Sequence, residues 1–123
     1  MTEEKDHIHG KVVQTRIAEL KLLQDDLLEI TLKPNEFFGL EDMKALIQAA
    51  GEIGEGRRLR NLVLVGNGTV ADQESRTLSA SLEGSKYKLA DAFVIKGSMQ
   101  TFIMNTYLKF QRPIVPTKFF TTK

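Results

Sequence analysis

The 123-residue sequence contains no cysteine and no tryptophan, and it has only two histidines. Without cysteine, disulfides, thiolate catalysis and zinc–thiolate sites are excluded. The formal net charge is +1 at pH 7, whereas nucleic-acid-binding proteins usually carry a concentrated basic stripe. No apolar run approaches the roughly 20 residues of a membrane-spanning helix. We therefore expect no nucleic-acid partner, no membrane span and a cytoplasmic location.

The composition is that of one ordinary globular domain, with 41% hydrophobic and 27% charged residues. Its N-terminal stretch, "MTEEKDHIHGK", is acidic and polar, unlike a secretory signal. We predict that residues 1–13 form a flexible leader and that residues 14–123 form a single α/β domain. His7 and His9 have the i, i+2 spacing of metal ligands on a strand, but a disordered tail is the favoured interpretation.

The hydrophobic pattern of the body alternates strands with helices. A hairpin is favoured over a helix in "AELKLLQDDLLEITLKP", because Leu28, Ile30 and Leu32 alternate after a Gln-Asp-Asp turn. Helices are predicted from Leu40 to a stop at Gly51, from Asp72, which is either the N-cap or a first-turn residue, and in "MQTFIMNTYLKF". Strands are predicted in "NLVLV", "KLADAFVIKG" and "IVPTKFF". The predicted order is β-β-α-β-α-β-α-β, in a mixed, mostly parallel sheet with an N-terminal β-hairpin.

The turn from Gly66 to Ala71 has the spacing G-x-G-x-x-A, between a strand and a helix, that is typical of a dinucleotide-binding loop. In such a loop the glycines admit a pyrophosphate to a helix N-terminus. Lys96, however, stands where an acid should bind ribose, and Asp72 would place a negative charge beside the phosphates. We predict a tight turn in which glycines adopt positive φ, and no bound cofactor.

No catalytic constellation is recognisable in the sequence. Both histidines lie in the leader, so the body offers only carboxylates for acid–base chemistry. No nucleophile stands beside a base in a familiar spacing. Asp72 and Glu74 are interpreted as first-turn charges of a helix, and the arginines of "GEGRRLRN" as part of a solvated loop. We predict that the protein is not an enzyme and has no catalytic or metal-binding residues.

The third predicted helix, "MQTFIMNTYLKF", is apolar on more than one face. One helix on one sheet needs a narrower apolar stripe, so a second burial partner is expected: another helix, a ligand or another subunit. We favour a homo-oligomer, a two-fold dimer, with Met104, Tyr107 and Leu108 in its interface. The phenylalanine pairs at 37–38 and 119–120 are further candidates. The alternative function is a small-molecule or lipid carrier with an apolar pocket between the third helix and the sheet.

Several stretches of the chain resemble bacterial STAS-like domains, which are small proteins related to the sporulation anti-sigma-factor antagonist. The resemblance is carried by "LEITLKP", "LEDM", "LADAFVIKG" and, most specifically, "YLKFQRPIVPTKFF". It spans about Thr15 to Thr122. The resemblance implies a STAS-like domain that works as a non-enzymatic interaction or regulatory module.

In the well-studied branch of that family, a partner kinase phosphorylates a serine at the start of the helix after the third strand, and the phosphate controls docking. The branch carries Asp-Ser-Ser-Gly there, whereas this chain has Asp72-Gln73-Glu74-Ser75. Asp72 matches, Gln73 and Glu74 stand where the two serines would be, and the glycine is absent. Ser75 lies one step late, and Thr69 lies early in the turn. The resemblance thus implies switch-position residues Thr69, Asp72, Glu74 and Ser75 and a regulatory kinase as a candidate partner, with the acceptor missing or displaced.

Overall fold

The structure, a computed structural model, describes residues 11–96 and 112–122. These ranges contain eight strands and two helices. The strands are β1 (Val12–Gln14), β2 (Ala18–Gln24), β3 (Leu27–Leu32), β4 (Phe37–Phe38), β5 (Leu59–Leu64), β6 (Val70–Ala71), β7 (Lys88–Lys96) and β8 (Thr117–Thr122). Helix α1 (Leu40–Ile53) lies between β4 and β5, and helix α2 (Gln73–Ala80) lies between β6 and β7.

Six strands form one mixed sheet in the order β1-β2-β3-β5-β7-β8. The first three are antiparallel neighbours, whereas β3, β5, β7 and β8 run parallel. Strands β4 and β6 form a separate two-stranded parallel sheet. The crossovers from β3 to β5 and from β5 to β7 advance in one direction, so right-handed connections put α1 and α2 on the same face. The two helices contact each other there.

The core lies between α1 and this inner face of the sheet. Strands β2 and β3 alternate between buried and more exposed side chains, as expected for antiparallel strands covered on one face. The core residues of the strands and of α1 are Ala18, Leu20, Leu22, Leu28, Ile30, Ala49, Ala50, Ile53, Leu59 and Val63. In residues 11–96 and 112–122, the helices thus form one layer over the sheet.

Acidic residues mark the start of both helices. At the start of α1, the carboxylate of Asp42 accepts a hydrogen bond from the backbone N–H of Gly39 (2.9 Å). At the start of α2, Asp72 is the N-cap and its Oδ1 accepts from the backbone N–H of Ser75 (2.8 Å). Both contacts satisfy amides that lack a partner within the helix. The sequence left Asp72 as either the N-cap or a first-turn residue, and in the structure it is the N-cap.

The predicted order β-β-α-β-α-β-α-β is wrong. An additional strand, β1, precedes the hairpin and includes Val12 and Val13, which the sequence had assigned to the leader. The short strands β4 and β6 precede α1 and α2. Two or three residues are too few to show a periodic pattern, so these strands escaped prediction. The described ranges hold two helices rather than three, and the segment of the predicted third helix lies outside them. The fold is a small α/β domain with a mixed sheet.

The predicted stop of the first helix at Gly51 is also wrong, because α1 continues to Ile53 and Gly54 is its C-cap. Position 51 requires glycine for a different reason. A Cβ atom at this position would lie 2.5 Å from the ring of Tyr87. The glycine therefore makes room for an aromatic side chain against the helix, instead of ending it.

Candidate functional site

A cavity of about 100 Å³ lies between α1, α2 and the inner face of the sheet. Most of the described side chains that line it are apolar, among them Ile30, Met43, Leu46, Ile47, Val63 and Phe93. Seven polar or charged residues also line it: Asn61, Thr69, Arg76, Ser79, Tyr87, Lys88 and Asp91. An apolar cavity of about 150 Å³ in a protein core can hold benzene, so this space is on the scale of a very small molecule.

A buried polar cluster forms one end of the cavity. Asn61 donates from Nδ2 to Oδ1 of Asp91 (3.0 Å), and Lys88 Nζ lies 2.9 Å from the other carboxylate oxygen. Lys88 Nζ also contacts the backbone carbonyl and the hydroxyl of Ser79, both at 3.0 Å. The Asn61 and Asp91 residues are 6% and 4% exposed. In the Lys88–Asp91 ion pair, each charge therefore compensates the other, and either charge alone would be costly in a protein interior.

Strand register brings these residues together. Asn61 of β5 pairs with Asp91 of β7, so the two side chains are direct neighbours on the inner face. The β5–β7 pairing shifts between Leu59 and Arg60, opposite the start of β7. Such an irregularity changes the alternation of side chains, and here Lys88 reaches the same side as Asp91.

Two buried polar atoms in the lining lack a hydrogen-bond partner among the described contacts: Oδ1 of Asn61 and Nε of Arg76. Asn61 uses its amide nitrogen on Asp91, so the free atom is an acceptor. Arg76 donates from Nη1 to the carbonyl of Ala71 (2.5 Å), and its Nε–H remains a free donor. Native structures rarely leave buried polar atoms unpaired, because each costs about 1–3 kcal/mol. Two residues that line the cavity thus have one acceptor and one donor without a partner.

The switch-position residues lie together around the start of α2, but the two hydroxyl groups point inwards. Ser75 is 0% exposed, and its Oγ lies 2.9 Å from the carbonyl oxygen of Asp72 and 3.2 Å from that of Phe38. Thr69 is buried too, and its Oγ1 donates to the carbonyl of Lys33. Of the four residues, only Glu74 is well exposed. A kinase has no access to either hydroxyl in this conformation.

The Gly-Asn-Gly turn passes close over the end of β3. The prediction of a positive φ holds for Gly68, whose φ is +80°, but not for Gly66. Gly66 is needed for close approach, because a Cβ there would lie 2.6 Å from the carbonyl carbon and oxygen of Lys33. The turn leads into β6 before α2 begins, so Asp72, not a glycine, caps the helix.

An open groove runs beside the first turn of α2. It is lined by Leu40 and Leu78 together with the polar residues Asp72, Gln73, Glu74, Thr77 and Ser81. The neighbouring two-stranded sheet pairs Phe37 with Val70, and these side chains are 61% and 44% exposed. The surface around the switch position therefore combines exposed apolar side chains with the carboxylates of Asp72 and Glu74.

The chain was compared with protein families, curated proteins and solved structures. A family model described as a domain of unknown function, DUF7793, matches residues 21–123. The chain belongs to the DUF7793 family. No curated protein and no solved structure matches it. None of these comparisons links the family to STAS-like domains, so that resemblance stays a prediction.

The DUF7793 match includes every described residue that lines the cavity. Sequence reasoning missed Asn61, Arg76, Lys88 and Asp91. A signal was present for two of them, because Asn61 opens the apolar run "NLVLV" and Asp91 interrupts "KLADAFVIK". A polar residue within a strand that is otherwise apolar needs a buried partner. Their pairing depends on register, which the sequence alone did not show.

Some predicted residues lie outside the described ranges. These are the interface candidates Met104, Tyr107 and Leu108 and the leader histidines His7 and His9. In residues 11–96 and 112–122, no cluster of three or more acidic, histidine or cysteine side chains could hold a metal ion. No helix in the same ranges has the length and hydropathy needed to cross a membrane.

Proposed function

We propose that this domain is a non-enzymatic binding module that holds a small, mostly apolar molecule in the cavity between α1, α2 and the sheet. A carrier was the alternative function considered from the sequence, with its pocket between the third helix and the sheet. The pocket proposed here lies instead at the first two helices. The observation that carries the proposal is the pair of unpartnered polar atoms, Asn61 Oδ1 and Arg76 Nε, in one largely apolar cavity. A packing void in a core needs no such groups.

The walls of the cavity favour an apolar body for the guest. Ile47, Val63 and Phe93 offer hydrocarbon surface from α1, β5 and β7. Each methylene that moves from water into such surroundings contributes about 0.8 kcal/mol. A guest would also restore dispersion contacts that the lining side chains lack across an empty space.

Binding without chemistry is supported by how the ionisable groups are used. Asp91 is the only acid among the described lining residues, and both of its oxygens are engaged, by Asn61 and by Lys88. No histidine is among those residues. The lining therefore has no free base placed to accept a proton from a guest.

The binding proposal is tested with benzene as a probe and with two matched variants. Val63→Phe adds volume in the cavity, whereas Leu64→Phe makes a similar change on the next residue of β5, which points to the opposite face. We expect benzene to raise the melting temperature of the wild type and of Leu64→Phe but not of Val63→Phe. A ligand at 100 times its dissociation constant stabilises by about 2.7 kcal/mol. Equal shifts in all three proteins, or none in the wild type, would contradict the proposal.

A second candidate function is a protein-interaction module of STAS-like type, with a regulatory kinase among its candidate partners. The observation that favours it is the groove beside α2, together with the exposed side chains of Phe37 and Val70. Glu74 places a fixed carboxylate on this surface. Because Ser75 is buried, such docking is proposed without phosphorylation of Ser75.

We also propose a homodimer, with a cytoplasmic location as expected from the lack of cysteine. Support comes from the outer face of the sheet, where Leu62, Leu64, Ala92, Val94 and Phe120 point away from α1 and α2. Phe120 is 50% exposed. These side chains form an apolar strip across β5, β7 and β8.

The register of the sheet makes this outer face complementary to a second copy. Glu29, Leu62, Ala92 and Lys118 form one row across β3, β5, β7 and β8. A two-fold axis along the strands, between β5 and β7, would place Leu62 against Ala92 and Glu29 against Lys118 of the second copy. We expect wild type and Phe37→Asp to sediment as dimers at about 100 µM and Phe120→Asp as a monomer, because a buried unpaired charge costs several kcal/mol. A monomeric wild type, or loss of the dimer in Phe37→Asp alone, would overturn this arrangement.

A further inference from the structure

The charges of the described residues that line the cavity do not cancel. Three of its described lining residues carry a charge: Arg76, Lys88 and Asp91. Lys88 and Asp91 neutralise each other across 2.9 Å. No ion pair among the described residues includes Arg76. Among the described lining residues, Arg76 therefore carries the one charge without an ion-pair partner.

The free edge of Arg76 has the shape that binds a carboxylate. Nη1 is occupied by the carbonyl of Ala71, which leaves the edge that contains Nε. Arg16 uses this same edge elsewhere in the chain, where Nε and Nη2 bind the two oxygens of Asp42 at 2.9 and 2.8 Å. Two parallel hydrogen bonds of this kind are the preferred geometry of guanidinium with carboxylate.

The acceptor on Asn61 lies at a different level of the cavity. Ser79 contacts the Lys88–Asp91 pair, and Arg76 lies three residues earlier on α2, or about 4.5 Å along the helix axis. The apolar residues Val63 and Phe93 also line the cavity, and they pair across β5 and β7 two residues further along the strands than Asn61 and Asp91, towards the end of the sheet where α2 begins. A guest that meets both polar atoms needs an apolar middle.

We infer that the ligand is a compact hydroxy acid: a monocarboxylate with its carboxylate on the Nε edge of Arg76, an apolar middle against Val63 and Phe93, and a hydroxyl that donates to Oδ1 of Asn61. This inference rests on the proposed binding function. It adds the chemical class of the ligand and the orientation in which it binds. The negative charge of the carboxylate balances Arg76, and the two end groups satisfy both unpartnered atoms.

Four probes separate the contributions of the two end groups: benzene, phenol, benzoate and 4-hydroxybenzoate. Each is titrated into the full chain and followed by amide NMR. We expect benzoate to bind at least about tenfold more tightly than benzene, since a hydrogen bond to a charged group is worth more than a neutral one. Phenol should also bind more tightly than benzene, but by a smaller factor than benzoate does. Of the four probes, 4-hydroxybenzoate should bind most tightly.

Arg76→Gln removes the charge, and Lys44→Gln removes the same charge from an exposed pair with Glu41 on the outside of α1. Benzoate should lose its advantage over benzene in Arg76→Gln and keep it in Lys44→Gln. Equal affinity of benzoate and benzene for the wild type would overturn the carboxylate assignment, and equal affinity of phenol and benzene would overturn the assignment to Asn61. Both outcomes leave the binding function intact, because benzene still binds. If none of the four probes binds, the binding function itself is wrong.

Discussion

Arg16 and Asp42 are joined by two parallel hydrogen bonds, from Nε to Oδ1 at 2.9 Å and from Nη2 to Oδ2 at 2.8 Å, across 26 positions of sequence. The contact ties the turn between β1 and β2 to the first turn of α1. Nη2 of Arg16 also donates to the carbonyl of Phe37 (2.9 Å). Since α1 forms one wall of the cavity, this ion pair holds that wall against the sheet at the end where the helix begins.

The first prediction concerns acid stability. The Arg16 guanidinium, helped by the backbone N–H of Gly39, holds the pKa of the Asp42 carboxyl below its usual range. Because the pKa is lower in the folded state, ionised Asp42 stabilises the fold at pH values above its pKa in the unfolded chain, about 3.9. This stabilisation is lost as the pH falls through the pKa of the folded state. We expect Asp42→Asn to lower the free energy of unfolding by about 1–2 kcal/mol at neutral pH.

The gap between wild type and Asp42→Asn should narrow as the pH falls below about 4. Urea denaturation at several pH values measures it. Glu41→Gln is the control, because Glu41 lies in the same helical turn with its side chain 85% exposed. A gap that stays constant down to about pH 2 would show that the carboxylate charge does not carry the effect.

A second prediction concerns Ser75. We expect Ser75→Asp to destabilise the fold by more than about 2 kcal/mol, because it would bury a charge beside the carbonyl oxygens of Phe38 and Asp72. Ser75→Ala should cost about 1 kcal/mol, the value of a typical hydrogen bond. Glu74→Gln, on the exposed side of the same turn, should be nearly neutral. Thermal unfolding measures all three, and a Ser75→Asp variant as stable as wild type would restore Ser75 as a candidate phosphorylation site.

The sequence predicted those features of the fold that rest on local patterns. The alternation in β3, the apolar stripe of α1 and the N-cap at Asp72 are all local, and each is present. Strand β8 lies at the edge of the sheet, as Pro116 predicts, because proline cannot donate a hydrogen bond within a sheet. The predicted start of this strand at Ile114 is wrong, because β8 begins only after the proline. The polar cluster of the cavity could not be predicted in this way. It depends on the register of β5 with β7, which joins residues 30 positions apart.

The Gly-Asn-Gly turn provides a third prediction. We expect Gly66→Ala to cost more than about 2 kcal/mol, because its Cβ would lie 2.6 Å from backbone atoms of Lys33, and backbone cannot move aside as a side-chain tip does. Gly39→Ala is the control: its nearest neighbours are 3.5 Å or more away. It should cost less than about 1 kcal/mol at a helix N-cap. Urea denaturation of both variants shows which loses more free energy of unfolding. Similar losses in the two variants would mean that the backbone at the end of β3 shifts to make room for the new Cβ atom.

The fourth prediction tests the polar end of the cavity. The side chains of Lys88 and Asp91 are 12% and 2% exposed, so removal of one charge leaves the other buried without its partner. We expect Asp91→Asn alone to lower the free energy of unfolding by about 3–5 kcal/mol. Asn at this position keeps an oxygen for the amide of Asn61, so that hydrogen bond is preserved.

The double variant Lys88→Met with Asp91→Asn removes both charges together and should recover at least half of that loss. Glu83 and Lys86 provide a matched exposed pair at the same i, i+3 spacing, with side chains 62% and 46% exposed. Their coupling energy should stay below about 1 kcal/mol, because water screens both charges. A double-mutant cycle at pH 7 for each pair gives the two coupling energies. If the buried pair couples no more strongly than the exposed one, then water reaches Lys88 and Asp91, and this end of the cavity is open to solvent.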